Sequence, residues 1–321
     1  MDASEMRYDE LVDRVEVLYN DRQYRAAVEL VDAESDGLEP WAAELAHVKA
    51  CLLGVSGDAA GALQVLLEAS AAGGWWRPTI LTEDDDLAAL QDRPEFQDLV
   101  RLSESRVTDD PVPPLVVLPG QTAEGPSREP VGVVVALHGA GQTAGHALRD
   151  WNGVLDLGYA LICVQSSSRM SPNYRTWPDR DQAAADIAAA LAEADTTTGL
   201  QLAGTSSPPV GGQGRGPVVD AGRMPVVAAG FSAGGRAAVD WGLTGLPRPV
   251  AGVLAMAPAL RELPDGGMPL SPATIWIGTG DDLLEVVDRA ADQLAGFAIE
   301  RIPGLGHTFP ADFAERLSAV L

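Results

Sequence analysis

A serine in the second half of the chain lies in a pattern that could supply a nucleophile. Residues 225–243 read PVVAAGFSAGGRAAVDWGL, and within them residues 230–234 fit the pattern G-x-S-x-G. In a chain with 34 glycines the pattern alone is weak evidence. An apolar run precedes Ser232 and a helical pattern follows it, which is the strand–turn–helix context of a nucleophile elbow. The alternative is a glycine-rich turn, which predicts no catalytic partners elsewhere in the chain.

A serine hydroxyl needs a general base at neutral pH, and imidazole is suited to that role. Of the four histidines, we predict His307 as the base. It lies in PGLGHTFPADF, between the last apolar run and the last helical pattern. A loop in that position leaves the carboxyl edge of a parallel sheet, where catalytic loops gather. His47 is expected on a half-buried helix surface, and His146 is expected to be structural.

The imidazole in turn needs a carboxylate, which holds one tautomer and stabilises the cation. The segment IWIGTGDDLLEVV supplies Asp281 and Asp282 directly after an apolar run. We predict Asp281 as the acid because it follows Gly278 by three residues, and Asp282 as a residue at a helix N-terminus. Asp282 is the alternative acid, and Asp265 is a more remote candidate.

Backbone N–H groups must also stabilise the oxyanion that forms during acyl transfer. The N–H of Ala233, next to the nucleophile, is one predicted donor. The segment HGAGQ (138–142) follows an apolar run and is predicted to offer the second donor, from Ala140 or alternatively Gly141. Glycines in this segment would let the backbone approach a substrate closely.

The elements that must position these residues are short, nearly continuous apolar runs that alternate with helical patterns. Strands buried on both faces in this order predict a largely parallel sheet with helices on each side, and the first run could pair antiparallel at an edge. The predicted strands are PLVVLP, 131–139, 159–165, 224–230, 250–258, 273–278 and 297–304, and the predicted helices include 179–194, 232–243, 282–295 and 310–321.

Residues 6–104 have helical periodicity instead, so we predict an all-α domain over 1–106 and an α/β domain over 107–321. RQYRAAVELV aligns with GDAAGALQVL at an offset of 35 residues, and the segment resembles a tetratricopeptide-type repeat pair. Such a domain would bind a protein partner or a second copy of the chain, or it would simply cover the α/β domain.

Along the chain, the segment with the second oxyanion donor (138–142) comes first, followed by Ser232, Asp281 and His307. This is the order found in the α/β-hydrolase fold. Residues 113–321 resemble α/β-hydrolases of the phospholipase/carboxylesterase and dienelactone-hydrolase-like branch, in LHGAGQ, GFSAGG, IGTGDD and GLGHTF. The resemblance implies a serine esterase that cleaves acyl esters through an acyl-enzyme, with no metal or organic cofactor. Dienelactone hydrolases proper use a cysteine as nucleophile, whereas this chain has a serine, so the resemblance points to the esterases of this branch. The resemblance also places Trp177 at the substrate pocket, where we expect His138 and Gln165 as well.

The sequence leaves several alternatives open. A peptidase, thioesterase or acyltransferase could use the same fold and residues, and a non-catalytic scaffold could retain them. Residues 196–223, rich in Gly, Ser and Thr, are predicted to form an exposed, partly disordered insertion, with a mobile lid as the alternative. Arg169, Arg175 and Arg236 lie close to the site in sequence and weigh against assuming a neutral substrate.

Composition limits the remaining function classes. The formal net charge of −24 argues against nucleic acid or an anionic membrane as a partner. No apolar run approaches the roughly 20 residues that span a bilayer, and the acidic start MDASEMRYDE lacks a signal pattern. The two cysteines, Cys51 and Cys163, are too few for a disulfide framework or a zinc site and are expected to be buried. These features favour a cytoplasmic protein.

Overall fold

The computed structural model describes residues 3–122, 125–126, 129–200, 202, 224–264 and 270–321. By its contacts the chain divides into two compact units. We call Met1–Asp110 together with Ser168–Arg175 the helical unit, and Pro111–Ser167 together with Thr176–Leu321 the sheet unit.

The helical unit confirms the predicted helical N-terminal segment. Its helices are α1 (Ala3–Asn20), α2 (Tyr24–Glu34), α3 (Ala42–Val55), α4 (Ala59–Ala71), α5 (Pro78–Thr82) and α6 (Pro94–Glu104), with 3-10 turns over Glu39–Trp41 and Asp85–Leu90. Apolar side chains at helical spacing form two clusters, one around Leu11 and Trp41 and the other around Trp76 and Phe96. The tetratricopeptide interpretation stays a prediction.

In the sheet unit, each predicted apolar run forms a strand. The strands are β1 (Leu115–Val117), β2 (Gln121–Thr122), β3 (Gly125–Pro126), β4 (Val133–Leu137), β5 (Ala160–Val164), β6 (Val226–Phe231), β7 (Gly252–Met256), β8 (Ala273–Gly278) and β9 (Ala298–Ile302). Within the described residues the main sheet has seven of these strands in the order β1-β5-β4-β6-β7-β8-β9, and a separate two-stranded sheet pairs β2 with β3. Only β1 runs antiparallel to its neighbour among these seven, at the edge of the sheet.

The register of the sheet brings the loops of interest to one edge. In the parallel pair β4–β6, Leu137 lies opposite Gly230, so the loop after β4 and the turn after β6 leave the sheet at the same level. In the pair β8–β9, Gly278 lies opposite Ile302, which aligns the two remaining loops in the same way. The sheet order therefore places the predicted residues along the carboxyl edges of their strands.

Helices of the sheet unit differ from the predictions mainly at their ends. They are α7 (Ala144–Trp151), α8 (Arg180–Thr198), α9 (Ser232–Thr244), α10 (Leu284–Ala290) and α11 (Phe313–Val320). Helix α10 is shorter than the predicted 282–295, because the Asp281 side chain accepts a hydrogen bond from Leu283 N and the chain continues as turns after Ala290. Helix α11 begins at Phe313 rather than at residue 310.

Helix α8 extends beyond its predicted end and includes the first three residues of the predicted insertion. The prediction of a loop from residue 196 was wrong there, since the hydroxyl groups of Thr196, Thr197 and Thr198 donate to carbonyl oxygens one turn earlier. Gly199, at φ +70°, ends the helix. Of the remaining residues of the predicted insertion, 200 and 202 are described, whereas 201 and 203–223 lie outside the described residues, as does Asp265.

No helix in the described parts of the chain is both long enough and apolar enough to cross a membrane.

Candidate active site

Ser232 lies in a strained turn between β6 and α9. Its φ of +52° is in the left-handed region, which residues other than glycine rarely adopt. A Cβ at Gly230 would lie 2.3 Å from the carbonyl oxygen of Gly234, and a Cβ at Gly234 would lie 2.3 Å from that of Leu137. Both positions therefore require glycine, and the turn can fold as sharply as a nucleophile elbow needs.

A second segment, directly after β7, holds this turn in place. The N–H of Ala259 donates to the carbonyl oxygen of Ser232 at 3.0 Å. Ala257 has a φ of +46°, and its N–H donates to Trp276 O at 2.8 Å. Neither residue is predictable from a motif in the sequence; the local signal is Pro258, which follows the end of the strand.

The structure brings His307 into contact with Asp281. His307 Nδ1 lies 2.9 Å from Asp281 Oδ2, and the other carboxylate oxygen accepts a hydrogen bond from Leu283 N at 2.8 Å. Asp281 is buried, whereas Asp282 is exposed. Of the two acids proposed from the sequence, Asp281 is the one paired with the histidine. The carboxylate holds the Nδ1–H tautomer, which leaves the Nε2 lone pair available to accept a proton.

The ring of His307 packs beside the turn that carries Ser232. The centroid of the His307 ring lies 4.8 Å from that of Phe231, the residue that precedes the serine. The ring of Phe309 also packs on Phe231, with a centroid distance of 5.0 Å. Within the described residues no hydrogen bond joins Ser232 to His307. Such bonds are often long in enzymes without substrate and tighten when it binds.

The loop after β4 approaches Phe231 from another direction. Its backbone is folded by two hydrogen bonds, from Gly139 N to Gln142 Oε1 at 2.9 Å and from Gln142 N to Gly139 O at 3.2 Å. A Cβ on Gly139 would lie 2.9 Å from Phe231 Cδ1. Among the residues predicted to supply oxyanion donors, Ala140 is exposed, whereas Gly141 and Ala233 are partly buried. Gly141 has a φ of +76°.

His138, Gln165 and Trp177 lie beneath this loop and are almost completely buried. Trp177 Nε1 donates to His138 O at 2.8 Å, and His138 Nε2 accepts from Ser166 N at 3.2 Å. Because Nε2 accepts, the proton of this neutral ring is on Nδ1, which donates to Gly139 O at 2.7 Å. The Gln165 side chain accepts from Ala144 N at 2.8 Å. The three residues thus fix the start of the loop from below.

The arginines near the site in sequence are paired with acids. Arg236 and Arg180 both contact Asp240 on α9, at 3.3 Å and 3.4 Å. Burial lowers the pKa of Arg236 and raises that of Asp240. Arg169 and Arg175 contact Asp110 within the helical unit, at 3.3 Å and 3.0 Å.

Comparison with known proteins agrees with the architecture. Residues 7–110 match the family model described as the N-terminal domain of A/B-hydrolase-like proteins. A search of curated proteins found no match. The match covers the helical segment, and a largely parallel seven-stranded sheet follows it in the described residues. The predicted resemblance to α/β-hydrolases and the predicted fold class are therefore confirmed: the chain has an α/β-hydrolase fold preceded by a helical segment.

A search of solved structures also found proteins similar to this chain. An uncharacterised Bacillus cereus protein is 21% identical over 97% of this chain and 96% of its own, with a TM-score of 0.46. A Bacillus cereus carboxylesterase is 16% identical over 64% of this chain and 92% of its own, with a TM-score of 0.42. Dienelactone hydrolase from Anabaena variabilis is 16% identical over 64% of this chain and 88% of its own, with a TM-score of 0.44.

Proposed function

We propose that this protein is a serine hydrolase that cleaves acyl esters, with Ser232 as nucleophile, His307 as general base and Asp281 as the supporting acid. The observation that carries the proposal is the 2.9 Å contact between His307 Nδ1 and Asp281 Oδ2, with the His307 ring packed on the residue that precedes Ser232. These three residues come from separate loops at the same edge of the sheet. A glycine-rich turn without catalytic function gives no reason for that convergence.

The proposed reaction follows from the roles of these groups. Ser232 Oγ attacks the ester carbonyl carbon while His307 Nε2 accepts the hydroxyl proton. The tetrahedral intermediate collapses, His307 returns the proton to the leaving alcohol, and Ser232 keeps the acyl group. A water molecule then gives a proton to His307 and attacks the carbonyl carbon of the acyl-enzyme. When this second intermediate collapses, His307 returns the proton to Ser232 Oγ and the acid is released. Asp281 stays ionised throughout and stabilises the imidazolium.

The oxyanion of each intermediate needs preorganised donors. Ala233 N–H lies in the first turn of α9, where helix geometry leaves backbone donors unpaired and the helix dipole favours negative charge. We assign the second donor to Ala140, with Gly141 as the alternative, in the loop that packs against Phe231. Loss of one such donor costs about 3–4 kcal/mol of transition-state stabilisation in acyl transfer.

We propose a neutral ester with a short or medium acyl chain as the substrate class. Arg236 contacts a buried carboxylate on its own helix, and Arg169 and Arg175 contact Asp110, so each is already engaged with an acid. An anionic substrate would have to compete with these ion pairs. Peptidase, thioesterase and acyltransferase chemistry would use the same kind of acyl-enzyme. The leaving group, an amine or a thiol instead of an alcohol, distinguishes a peptidase or a thioesterase from an esterase, and an acyl acceptor other than water distinguishes an acyltransferase.

Labelling and turnover together test the proposal. The wild type, Ser232→Ala and the exposed-site control Ser105→Ala would be treated with a fluorophosphonate probe and then assayed on nitrophenyl esters of increasing chain length. We expect labelling and ester turnover in the wild type and the control, and neither in Ser232→Ala. Equal labelling of all three proteins, or no turnover of any ester, would overturn the esterase proposal. An intact protein that neither labels nor turns over substrate would favour the scaffold alternative.

A further inference from the structure

Three potential metal ligands converge in the helical unit, in a cluster that the proposed reaction does not use. His47 and Cys51 lie one turn apart on the same face of α3, and Asp84 directly precedes the 3-10 turn over Asp85–Leu90. His47 Nε2, Cys51 Sγ and Asp84 Oδ2 all lie within 4.8 Å of one another. Each residue type supplies a zinc ligand in other proteins.

The distances within the cluster fit the ligands of one metal ion, and in this arrangement the Cys51 thiol donates a hydrogen bond to Asp84. Cys51 Sγ lies 3.3 Å from Asp84 Oδ2 and 3.7 Å from His47 Nε2, and His47 Nε2 lies 3.6 Å from Asp84 Oδ2. A histidine–carboxylate hydrogen bond is about 2.7–3.2 Å long, so the last separation is too great for one. Around tetrahedral zinc, bonds of about 2.3 Å to sulfur and about 2.0–2.1 Å to nitrogen or oxygen place the ligand atoms about 3.3–3.6 Å apart.

We propose that His47, Cys51 and Asp84 bind one Zn²⁺ ion in the helical unit. The thiolate and imidazole favour zinc over the hard cations Mg²⁺ and Ca²⁺, which prefer oxygen ligands. One thiolate, one carboxylate and one neutral imidazole balance the ion's two positive charges. Cys51 releases its thiol proton to solvent when it binds the ion, and no change of oxidation state is involved.

The surroundings of the cluster hold the ligands and leave room for entry. The other carboxylate oxygen of Asp84 accepts a hydrogen bond from Asp86 N at 3.0 Å, which directs Oδ2 toward the helix. The backbone of Ile80 hydrogen bonds to the His47 ring, as the outer support of a metal-bound histidine does. The side chains of His47 and Asp84 are 19% and 28% exposed, so an ion can reach them and a water molecule can complete the coordination.

The site would join two pieces of the helical unit that are distant in sequence. Asp84 lies 33 residues after Cys51, and α3 already packs on the turn over Asp85–Leu90. A metal ion bound there would hold the turn to the helix. The resulting role would be structural and separate from ester cleavage. It differs from the expectation, drawn from the sequence, that two cysteines are too few for a zinc site.

Cobalt provides a direct test because a thiolate bound to Co²⁺ gives a charge-transfer band in the near ultraviolet. The full chain, freed of metal with a chelator, would be titrated with Co²⁺ and then with Zn²⁺. We expect the band to saturate at one equivalent of Co²⁺ and to vanish when Zn²⁺ displaces it. Cys51→Ser should lose the band, whereas Cys163→Ala should keep it, because Cys163 lies fully buried in β5 of the sheet unit.

Three further measurements keep the result decisive. Circular dichroism must show that Cys51→Ser is folded; if it is not, Asp84→Asn takes its place, since its amide oxygen can still accept the hydrogen bond from Asp86 N. We expect Asp84→Asn to weaken Co²⁺ binding at least about 10-fold, because even mutation of a residue that only supports a metal ligand lowers metal affinity by about that factor. We expect labelling of Ser232 by a fluorophosphonate to be unchanged in these variants. Absence of the band in the wild type, or its persistence in Cys51→Ser, would overturn the proposal.

Discussion

The N–H of Ala259 donates a hydrogen bond to the carbonyl oxygen of Ser232 at 3.0 Å. Two backbone positions with positive φ therefore meet at this edge of the sheet: Ser232 at +52°, and Ala257 at +46° two residues before the donor. Left-handed conformations cost residues with a Cβ about 1–2 kcal/mol each. The hydrogen bond from Ala259 helps to hold Ser232 in a conformation that the serine would not adopt by itself. Strained backbone conformations of this kind cluster at functional sites, where the surrounding structure maintains them.

This strain predicts that Ser232→Gly is more stable than Ser232→Ala, although neither variant should be active. Glycine adopts φ +52° without a Cβ penalty, whereas alanine retains it, so we expect a difference of about 1 kcal/mol in the free energy of unfolding. Urea unfolding followed by circular dichroism would measure it. If the two variants have the same stability, the backbone of Ser232 is not strained.

Asp281→Asn is predicted to lower kcat for ester cleavage by about 10⁴, because an amide in place of the carboxylate no longer fixes the Nδ1–H tautomer of His307. The amide oxygen can still accept the bond from Leu283 N, so the fold should be unaffected. Steady-state kinetics on a nitrophenyl ester would measure the change.

The matched control for that variant is Asp282→Asn, the same change at the adjacent exposed position. It should leave kcat within about 2-fold of the wild type, as surface substitutions away from special features have small effects. Equal losses in the two variants would contradict the assignment of Asp281.

The sequence predicted the strands and the convergence of their loops more reliably than it predicted individual contacts. Continuous apolar runs specify buried parallel strands, and the edge to which Ser232 and His307 belong follows from the order of strands and helices. The choice between Asp281 and Asp282 is different in kind. Both residues follow the same strand, and only the path of the turn determines which carboxylate lies against the histidine.

Two other features depended on contacts that no local pattern records. The threonine run after residue 195 has low helix propensity, yet its hydroxyl groups bond to α8 and the helix continues. His47 and Cys51 have a spacing visible in the sequence, but their relation to Asp84 depends on how α3 packs against the turn over Asp85–Leu90. Sequence spacing predicts one face of a helix, not what lies against it.

Gly234→Ala is predicted to destabilise the protein by about 1–3 kcal/mol and to reduce esterase activity. A Cβ there would lie 2.3 Å from Leu137 O and 2.4 Å from His138 O, so α9 would have to move away from the loop that carries the second oxyanion donor. Thermal unfolding and ester kinetics would measure both effects. Gly296→Ala is the control, because apart from the residue itself and its two chain neighbours no heavy atom of the described residues lies within 4 Å of the added Cβ. A Gly234→Ala protein as stable and active as this control would contradict the proposed close approach.

Asp240→Ala is predicted to destabilise the sheet unit by about 3–5 kcal/mol, because it would leave the buried Arg236 guanidinium without its carboxylate partner. The side chains of Arg236 and Asp240 are only 9% and 4% exposed. The comparison is Asp288→Ala, which breaks the pair with Arg301 at a site where both side chains are 44% exposed. We expect that change to cost less than about 1 kcal/mol. Similar losses in urea unfolding would indicate that the charges on α9 are not effectively buried.

Trp177→Phe tests whether the residues beneath the loop position the oxyanion donor. Phenylalanine keeps an aromatic ring against His138 but removes the Nε1–H that donates to His138 O, and an unsatisfied buried acceptor costs about 1–3 kcal/mol. Because that carbonyl begins the loop of Ala140 and Gly141, we expect kcat to fall more than KM rises.

The control for this variant is Trp241→Phe, which removes an equivalent bond, from Nε1 to Arg248 O at 2.7 Å, at the far end of α9 from Ser232. It should lower stability by a comparable amount and leave kcat unchanged. If both tryptophan variants lose stability and neither loses kcat, Trp177 supports the fold alone. A loss of kcat in Trp177→Phe alone would indicate that the loop after β4 contributes to the transition state. Each variant removes one indole donor from a backbone carbonyl, and of the two carbonyls only that of His138 begins this loop.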